Sequence, residues 1–213
     1  MSNRAQSTRE EAANTVIHAA ALVTMIVAIP FLFRSTESLS TNAASVAGSA
    51  VFAATLVFLY LCSTLYHALR EGRTRRLLLR LDHGAIFLFI AGSFTPFALA
   101  SADVATDWTQ LCVVWLFALA GFTLKACGRL SHPLLSNGLY LLMGWAVLTL
   151  AAPMMQRLPQ WGAWWLVYGG VAYTVGVIFF VLDSRVRYAH AVWHGFVVAG
   201  TTCHFIAIWA LNH

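Results

Sequence analysis

Residues Ala44–Leu69 read ASVAGSAVFAATLVFLYLCSTLYHAL and contain no Asp, Glu, Lys or Arg. A helix needs about 20 mostly apolar residues to cross the hydrocarbon core of a bilayer. This stretch is long enough to do so, and its one histidine, His67, stands near its end. We therefore predict a membrane-spanning helix whose last turn carries a polar side chain.

Six further apolar runs of similar length lie on either side of this stretch. They are Val16–Phe33, His83–Ala100, Thr109–Cys127, Leu134–Met154, Trp164–Leu182 and Ala191–Leu211. Only 10% of the 213 residues are charged, whereas soluble domains carry about 25%. We predict an all-α fold, a seven-transmembrane helix bundle without a soluble domain. A short cytoplasmic N-terminal segment, residues 1–14, precedes a single membrane domain, residues 15–213.

The basic residues fall almost entirely in alternate connections between the predicted spans. Eleven of the 13 Lys and Arg residues lie on one side: Arg4, Arg9, Arg70, Arg73, Arg75, Arg76, Arg80, Lys125, Arg129, Arg185 and Arg187. Only Arg34 and Arg157 lie on the other side. Because cytoplasmic loops carry an excess of Lys and Arg, we predict that the N-terminus is cytoplasmic and the C-terminus outside.

Five polar residues lie at the same depth in this topology. Ser63 and His67 are one helical turn apart near the cytoplasmic end of the second span, and Asp82 begins the third. His190 and His194 open the seventh span, and their i,i+4 spacing places both rings on one helix face. Since ionisable groups inside a span are costly, they mark functional sites.

Three neutral imidazoles with a water molecule form an open tetrahedral zinc site of the catalytic kind. An Asp that reaches this water would act as a base or as an outer-shell support of the site. The alternative is that these histidines cap helices or meet lipid headgroups at the membrane interface.

Three other histidines receive a weaker interpretation. His18 and His83 lie on the predicted cytoplasmic side, where they could support the metal ligands, but a satisfied helix-end histidine is the simpler reading. His204 lies in the middle of the seventh span, where we favour a hydrogen bond between helices.

Six motifs occur in order over nearly the whole chain: EEAANTVIH at 10–18, STLYH at 63–67, LDHGAIF at 81–87, AGSFTPF at 91–97, HAVWH at 190–194 and CHF at 203–205. Together they resemble the haemolysin III branch of the progestin and adipoQ receptor family, within the superfamily that includes alkaline ceramidases. The resemblance implies a seven-helix bundle with a buried zinc on the cytoplasmic side.

Carried onto this chain, the resemblance implies that His67, His190 and His194 are the Zn²⁺ ligands. It also implies that Asp82 holds or activates the zinc-bound water and that Ser63 is a nearby group of the catalytic site. Alkaline ceramidases are zinc amidases that act on lipids, and bacterial members of the family are linked to membrane-fluidity homeostasis. We therefore expect a multi-pass protein of the cell inner (plasma) membrane. Its expected partners are membrane lipids and a lipid-like substrate or ligand, and no nucleic acid. Whether the protein forms a homo-oligomer is left open by the sequence.

Three functions remain open from the sequence. The leading hypothesis is a zinc-dependent hydrolase of a lipid amide or ester, whose substrate arrives sideways from the bilayer. The alternative is a non-enzymatic membrane sensor or receptor with a structural zinc. A pore-forming haemolysin is less favoured, because the spans hold few polar residues that could line a continuous channel. Whether the protein is an enzyme is therefore uncertain from the sequence.

Overall fold

The computed structural model describes residues 4–33, 43–100, 105–155 and 158–211. Within these ranges the chain forms seven α-helices and no β-strand, which confirms the predicted all-α seven-helix fold. The helices are α1 (Thr8–Leu32), α2 (Ala43–Ala68), α3 (Arg73–Ala100), α4 (Ala105–Ala126), α5 (Pro133–Met155), α6 (Gln160–Leu182) and α7 (Ala189–Leu211). Each contains a segment that is long and apolar enough to cross a membrane.

Helix α1 begins at Thr8, within the polar N-terminal segment 1–14, because Ser7 and Glu10 form a capping box. The Ser7 hydroxyl accepts a hydrogen bond from the Glu10 backbone, and the Glu10 carboxylate accepts one from the Ser7 backbone. Such reciprocal bonds satisfy amide groups that a helix start leaves free. The helix thereby extends below the apolar run and brings its polar first turns into the bundle.

Helix α3 also begins earlier than its apolar run. It starts at Arg73, so Asp82 lies about two and a half turns inside it. Asp82 stands at the start of the apolar run, and the helix extends beyond it by the segment Arg73–Leu81. Arg and Leu are good helix formers, and the segment Arg73–Leu81 consists mainly of these two residues.

The helices differ in how much of their surface the protein itself covers. We call α2, α3 and α7 the inner helices, since 50%, 67% and 44% of their apolar windows are buried. We call α4, α5 and α6 the outer helices, for which the shares are 28%, 17% and 17%. Helix α1 packs against two inner helices, α2 and α7.

The basic connections meet at one end of the bundle. Arg4 donates hydrogen bonds to carbonyl groups of the α6–α7 connection, at Asp183 and Val186. Arg75 forms an ion pair with Glu11 of α1. Basic residues from distant parts of the sequence therefore share this end, which the arginine count predicts to be cytoplasmic. Arg34 and Arg157, the two basic residues of the opposite side, lie outside the described residues.

Candidate metal centre

Three buried histidines converge at the basic end of the bundle. His67 comes from the last turn of α2, while His190 and His194 come from the first turns of α7. Each offers one ligand atom, and these atoms all lie within 4.8 Å of one another. The Nε2 atoms of His67 and His194 are 3.1 Å apart. The group that the sequence analysis singled out is therefore one that could hold a metal ion.

Carboxylates hold the second nitrogen of two of these rings. His67 Nδ1 lies 2.6 Å from Glu11 Oε2, and His190 Nδ1 lies 3.0 Å from Asp183 Oδ2. An ionised carboxylate only accepts hydrogen bonds, so each imidazole donates through Nδ1 and keeps the Nε2 lone pair free. Metal-binding histidines in proteins are oriented in this way.

This donor arrangement fits a metal ion that takes imidazole ligands. Because His67 donates through Nδ1, its Nε2 is an electron-pair donor that faces the Nε2 atom of His194 at 3.1 Å. The Nδ1 atom of His194 is buried and has no hydrogen-bond partner among the described residues. A cation bound by both Nε2 atoms would take the place of the hydrogen bond between these two nitrogens, with the His194 proton on Nδ1.

Asp82 and Ser63 lie beside the three histidines. Asp82 is buried, and its carboxyl group neighbours the Ser63 side chain and the ring of His190. Ser63 is fully buried on α2, one turn before His67. The structure thus brings all five residues of the sequence prediction to one place, with Asp82 outside the group of three converging ligand atoms.

His18 and His83 do not lie at helix ends, where the sequence analysis expected them. His18 lies in the interior of α1, not at a helix end, and its ring centroid is 3.7 Å from that of His194. His83 lies inside α3, and its ring meets Phe180 edge-on at 5.9 Å. For both residues the helix-end interpretation is wrong, because α1 and α3 extend beyond their apolar runs.

Helix α1 supplies two neighbours of the cluster that the sequence analysis did not identify, Glu11 and Asn14, beside His18, which it did. Glu11, Asn14 and His18 follow one another at helical spacing on one face, and all three face the cluster: Asn14 Nδ2 lies 3.4 Å from His67 Nδ1. The i, i+3, i+7 pattern in EEAANTVIH was a usable sign of this face. Asp183 carried no comparable sign, because it lies in a connection after α6.

Glu10 clamps the connection that leads into α7. Its buried carboxylate accepts two hydrogen bonds from Arg4, both of 2.7 Å, and one of 2.9 Å from the backbone N–H of Tyr188. Tyr188 has φ of 61°, a left-handed conformation that residues other than glycine rarely adopt. The carboxylate also raises the pKa of the Arg4 guanidinium above its usual value. This clamp fixes the chain two residues before His190.

A cavity of about 150 Å³ extends from the histidine cluster into the bundle. Asp82, His190 and His194 line it at one end. Apolar side chains of α3, α5, α6 and α7 form most of its remaining wall, among them Phe89, Leu148 and Val197. The cavity therefore joins a polar cluster to an apolar space between inner and outer helices.

Comparison with known proteins shows the family of this chain. The family described as Haemolysin-III related matches residues 6–205. The chain belongs to this family. It is a multi-pass membrane protein, as the seven apolar helices require.

Individual relatives cover nearly the whole chain. Hemolysin-3 of Bacillus cereus is 33% identical over 208 residues, which are 98% of this chain and 94% of that protein. A Hemolysin-3 homolog of Bacillus subtilis (strain 168) is 33% identical over 200 residues, covering 94% of this chain and 93% of the homolog. The human monocyte to macrophage differentiation factor is 27% identical over 205 residues, covering 94% and 83% of the two chains. The resemblance to the progestin and adipoQ receptor family is thereby confirmed.

Proposed function

We propose that this protein binds zinc in the plasma membrane and hydrolyses an amide or ester bond of a lipid, as part of membrane lipid or fluidity homeostasis. The observation that carries the proposal is the convergence of His67, His190 and His194 at the end of an apolar cavity. Carboxylates on the Nδ1 atoms of two of them support it.

In this proposal His67, His190 and His194 hold Zn²⁺. Three histidines are the protein ligands of one well-known kind of catalytic zinc site, which keeps a fourth position open. Zinc bound there would polarise a carbonyl group and lower the pKa of a water molecule towards about 7. Glu11 and Asp183 keep the rings in the orientation and tautomer that metal binding needs.

Asp82 acts as the general base. Its carboxylate lies next to the histidine cluster and at the end of the cavity, where it would accept the proton of an attacking water. It would then pass that proton to the amine or alcohol that leaves. Ser63 orients the Asp82 carboxylate or donates a hydrogen bond to the negative charge that develops on the carbonyl oxygen.

The cavity wall selects the substrate class. Its apolar side chains suit an acyl chain that enters from the bilayer. The polar end of the cavity then receives the amide or ester group. The outer helices on this wall are mostly uncovered by the rest of the protein, so we expect the substrate to enter sideways from the membrane.

The test is a hydrolysis assay with purified protein in lipid nanodiscs. Amide lipids of the ceramide type and ester lipids of the phospholipid type are supplied, and released fatty acid is measured by mass spectrometry. We expect release by the zinc-loaded protein, loss of release after chelation, and its return when zinc is added back. A zinc-loaded protein that releases no fatty acid from either class contradicts the hydrolase.

The second candidate is a non-enzymatic sensor in which zinc is structural. The observation that favours it is that the three histidines join α2 to α7, so that a metal would tie these two helices together. A bacterial strain that lacks its own family member separates the two functions. Full rescue by an Asp82→Asn protein that still binds zinc favours the sensor, whereas failure to rescue favours the hydrolase.

A pore-forming haemolysin receives less support. The described cavity is mostly apolar along the membrane-spanning helices, which does not suit a continuous water-filled channel. Two relatives carry the word hemolysin in their names. Vesicles that retain an enclosed dye after the protein is inserted would agree with this ranking.

A further inference from the structure

Two polar side chains line the same cavity far from the histidine cluster. Tyr173 of α6 and His204 of α7 both contribute to its wall. His204 follows His194 by ten residues, which is about 15 Å along the helix axis. They therefore lie deep in the apolar part of the cavity, beyond the reach of the proposed catalytic groups.

Neither side chain is fully satisfied by the protein. The Tyr173 hydroxyl and His204 Nδ1 are buried and have no hydrogen-bond partner among the described residues. The hydrogen bond between helices that the sequence favoured for His204 is therefore not made by this nitrogen. By contrast, the hydroxyl of nearby Tyr60 is paired with Thr201. Unpaired polar groups are costly inside a bilayer, where no water compensates for them.

The backbone is shaped to hold both rings where they are. A Cβ atom at Gly169 of α6 would come within 2.4 Å of the His204 ring. A Cβ atom at Gly200 of α7 would come within 2.5 Å of the Tyr173 ring. Each helix thus provides a glycine notch for the ring of the other, and the two ring centroids lie 5.4 Å apart at nearly a right angle.

We propose that Tyr173 and His204 form a second recognition site, which binds a hydroxyl group in the middle of an acyl chain. A hydroxyl can accept a hydrogen bond from the Tyr173 phenol and donate one to the Nδ1 atom of His204. Since the rings are neighbours, one bound group can meet both. The ligand class is a lipid whose polar end lies at the histidine cluster and whose chain carries a hydroxyl about 15 Å away.

This site rests on the proposed function only in requiring that the cavity holds a lipid chain. Binding is therefore measured without turnover, with octadecanoic acid and its mid-chain hydroxylated derivative as probes of the purified protein in nanodiscs. An isomer with the hydroxyl next to the carboxyl group is the positional control. We expect the mid-chain hydroxyl to tighten binding about 10-fold and the control isomer to show no such gain.

Tyr173→Phe removes one hydroxyl and keeps the ring in its notch. We expect it to abolish most of the preference for the hydroxylated chain while leaving the affinity for octadecanoic acid unchanged. His204→Phe should act in the same direction. The matched control is Tyr168→Phe, on the same helix but on its exposed side, which should keep the full preference.

The outcomes separate the two proposals. Equal binding of hydroxylated and plain chains by the wild type, or an undiminished preference in Tyr173→Phe, overturns the second site and leaves the lipid cavity standing. If neither chain binds to the wild type, both the lipid cavity and this site are wrong. The expected preference, lost in Tyr173→Phe and kept in Tyr168→Phe, supports the site.

Discussion

The inner helices and the outer helices of this bundle differ in burial and in the residues that they carry. The inner helices α2, α3 and α7 carry the candidate ligands together with Asp82 and Ser63, and they are the most buried in the protein. The outer helices α5 and α6 have only 17% of their apolar windows buried, and they contribute mainly apolar side chains to the cavity. In the proposed function, the chemistry therefore belongs to the well-packed part, and the binding of the acyl chain belongs to the part that faces lipid.

Close packing explains why the inner helices can hold a precise geometry. A Cβ atom at Gly92 of α3 would meet the Thr55 side chain of α2 at 2.0 Å, and one at Gly48 of α2 would meet Pro96 of α3 at 2.7 Å. In α5, by contrast, Gly138 and Gly144 have no atom within 4 Å of such a position. Small residues allow helices to approach closely in membranes, and in this bundle α2 and α3 use them in this way.

The largest expected effect concerns Asp82 on the inner helix α3. Asp82→Asn removes the proton acceptor while keeping the shape of the side chain, so we expect kcat for lipid hydrolysis to fall by about 10²–10⁴-fold. Zinc content should stay at the wild-type level, because Asp82 is outside the group of three ligand atoms. Ser93→Ala is a cavity control, since its hydroxyl is bonded to the Ile90 carbonyl. A variant with unchanged kcat would place the base elsewhere.

The next effect concerns the support of the inner helices by α1. Glu11→Gln replaces the carboxylate that holds His67 Nδ1 at 2.6 Å, and we expect zinc affinity to fall about 10–100-fold. The affinity is measured by competition with a chelator of known strength. Glu71→Gln is the control, since Glu71 is exposed in the α2–α3 connection. Equal affinities of the two variants would show that Glu11 does not support the site.

A pair of glycine substitutions tests the packing difference directly. Gly92→Ala forces a methyl group against Thr55, and overpacking of this kind costs about 1–3 kcal/mol. Gly138→Ala meets open space in α5 and should be neutral or slightly stabilising, because Ala favours a helix more than Gly does. Thermal unfolding in detergent measures both. If Gly138→Ala destabilises as much as Gly92→Ala, the division into inner and outer helices fails.

The smallest effect concerns the outer wall of the cavity. Leu148 of α5 lines the cavity, and Leu148→Ala removes apolar contact with the bound chain. We expect KM to rise about 10-fold with kcat nearly unchanged, since a pocket contact of this size is worth about 1–3 kcal/mol. Steady-state kinetics distinguishes this pattern from that of Asp82→Asn. A fall in kcat alone would instead link α5 to the chemistry.

The sequence predicted the scaffold and the three histidines that converge in the candidate site, because both follow from local patterns. Apolar length predicts each span, and the alternation of arginines brings Ser63, His67 and Asp82 to the depth of HAVWH. The roles of Glu11 and Asp183 depend on which helices are neighbours, which a single span does not reveal. The extra turns of α1 had a local sign, the Ser7–Glu10 capping box. The glycine notches that hold the Tyr173 and His204 rings could not be predicted from the sequence, because they form only where α6 packs against α7.

The proposed function requires that the inner helices hold one metal ion. Elemental analysis of the protein purified at neutral pH tests it most directly, with His67→Ala and His194→Ala as variants. The control is His132→Ala, an exposed histidine of the α4–α5 connection. We expect one zinc per chain in the wild type and in His132→Ala, and its loss in the other two variants. A wild-type protein without zinc, or a His194→Ala protein that keeps it, would show that these histidines do not form a zinc site.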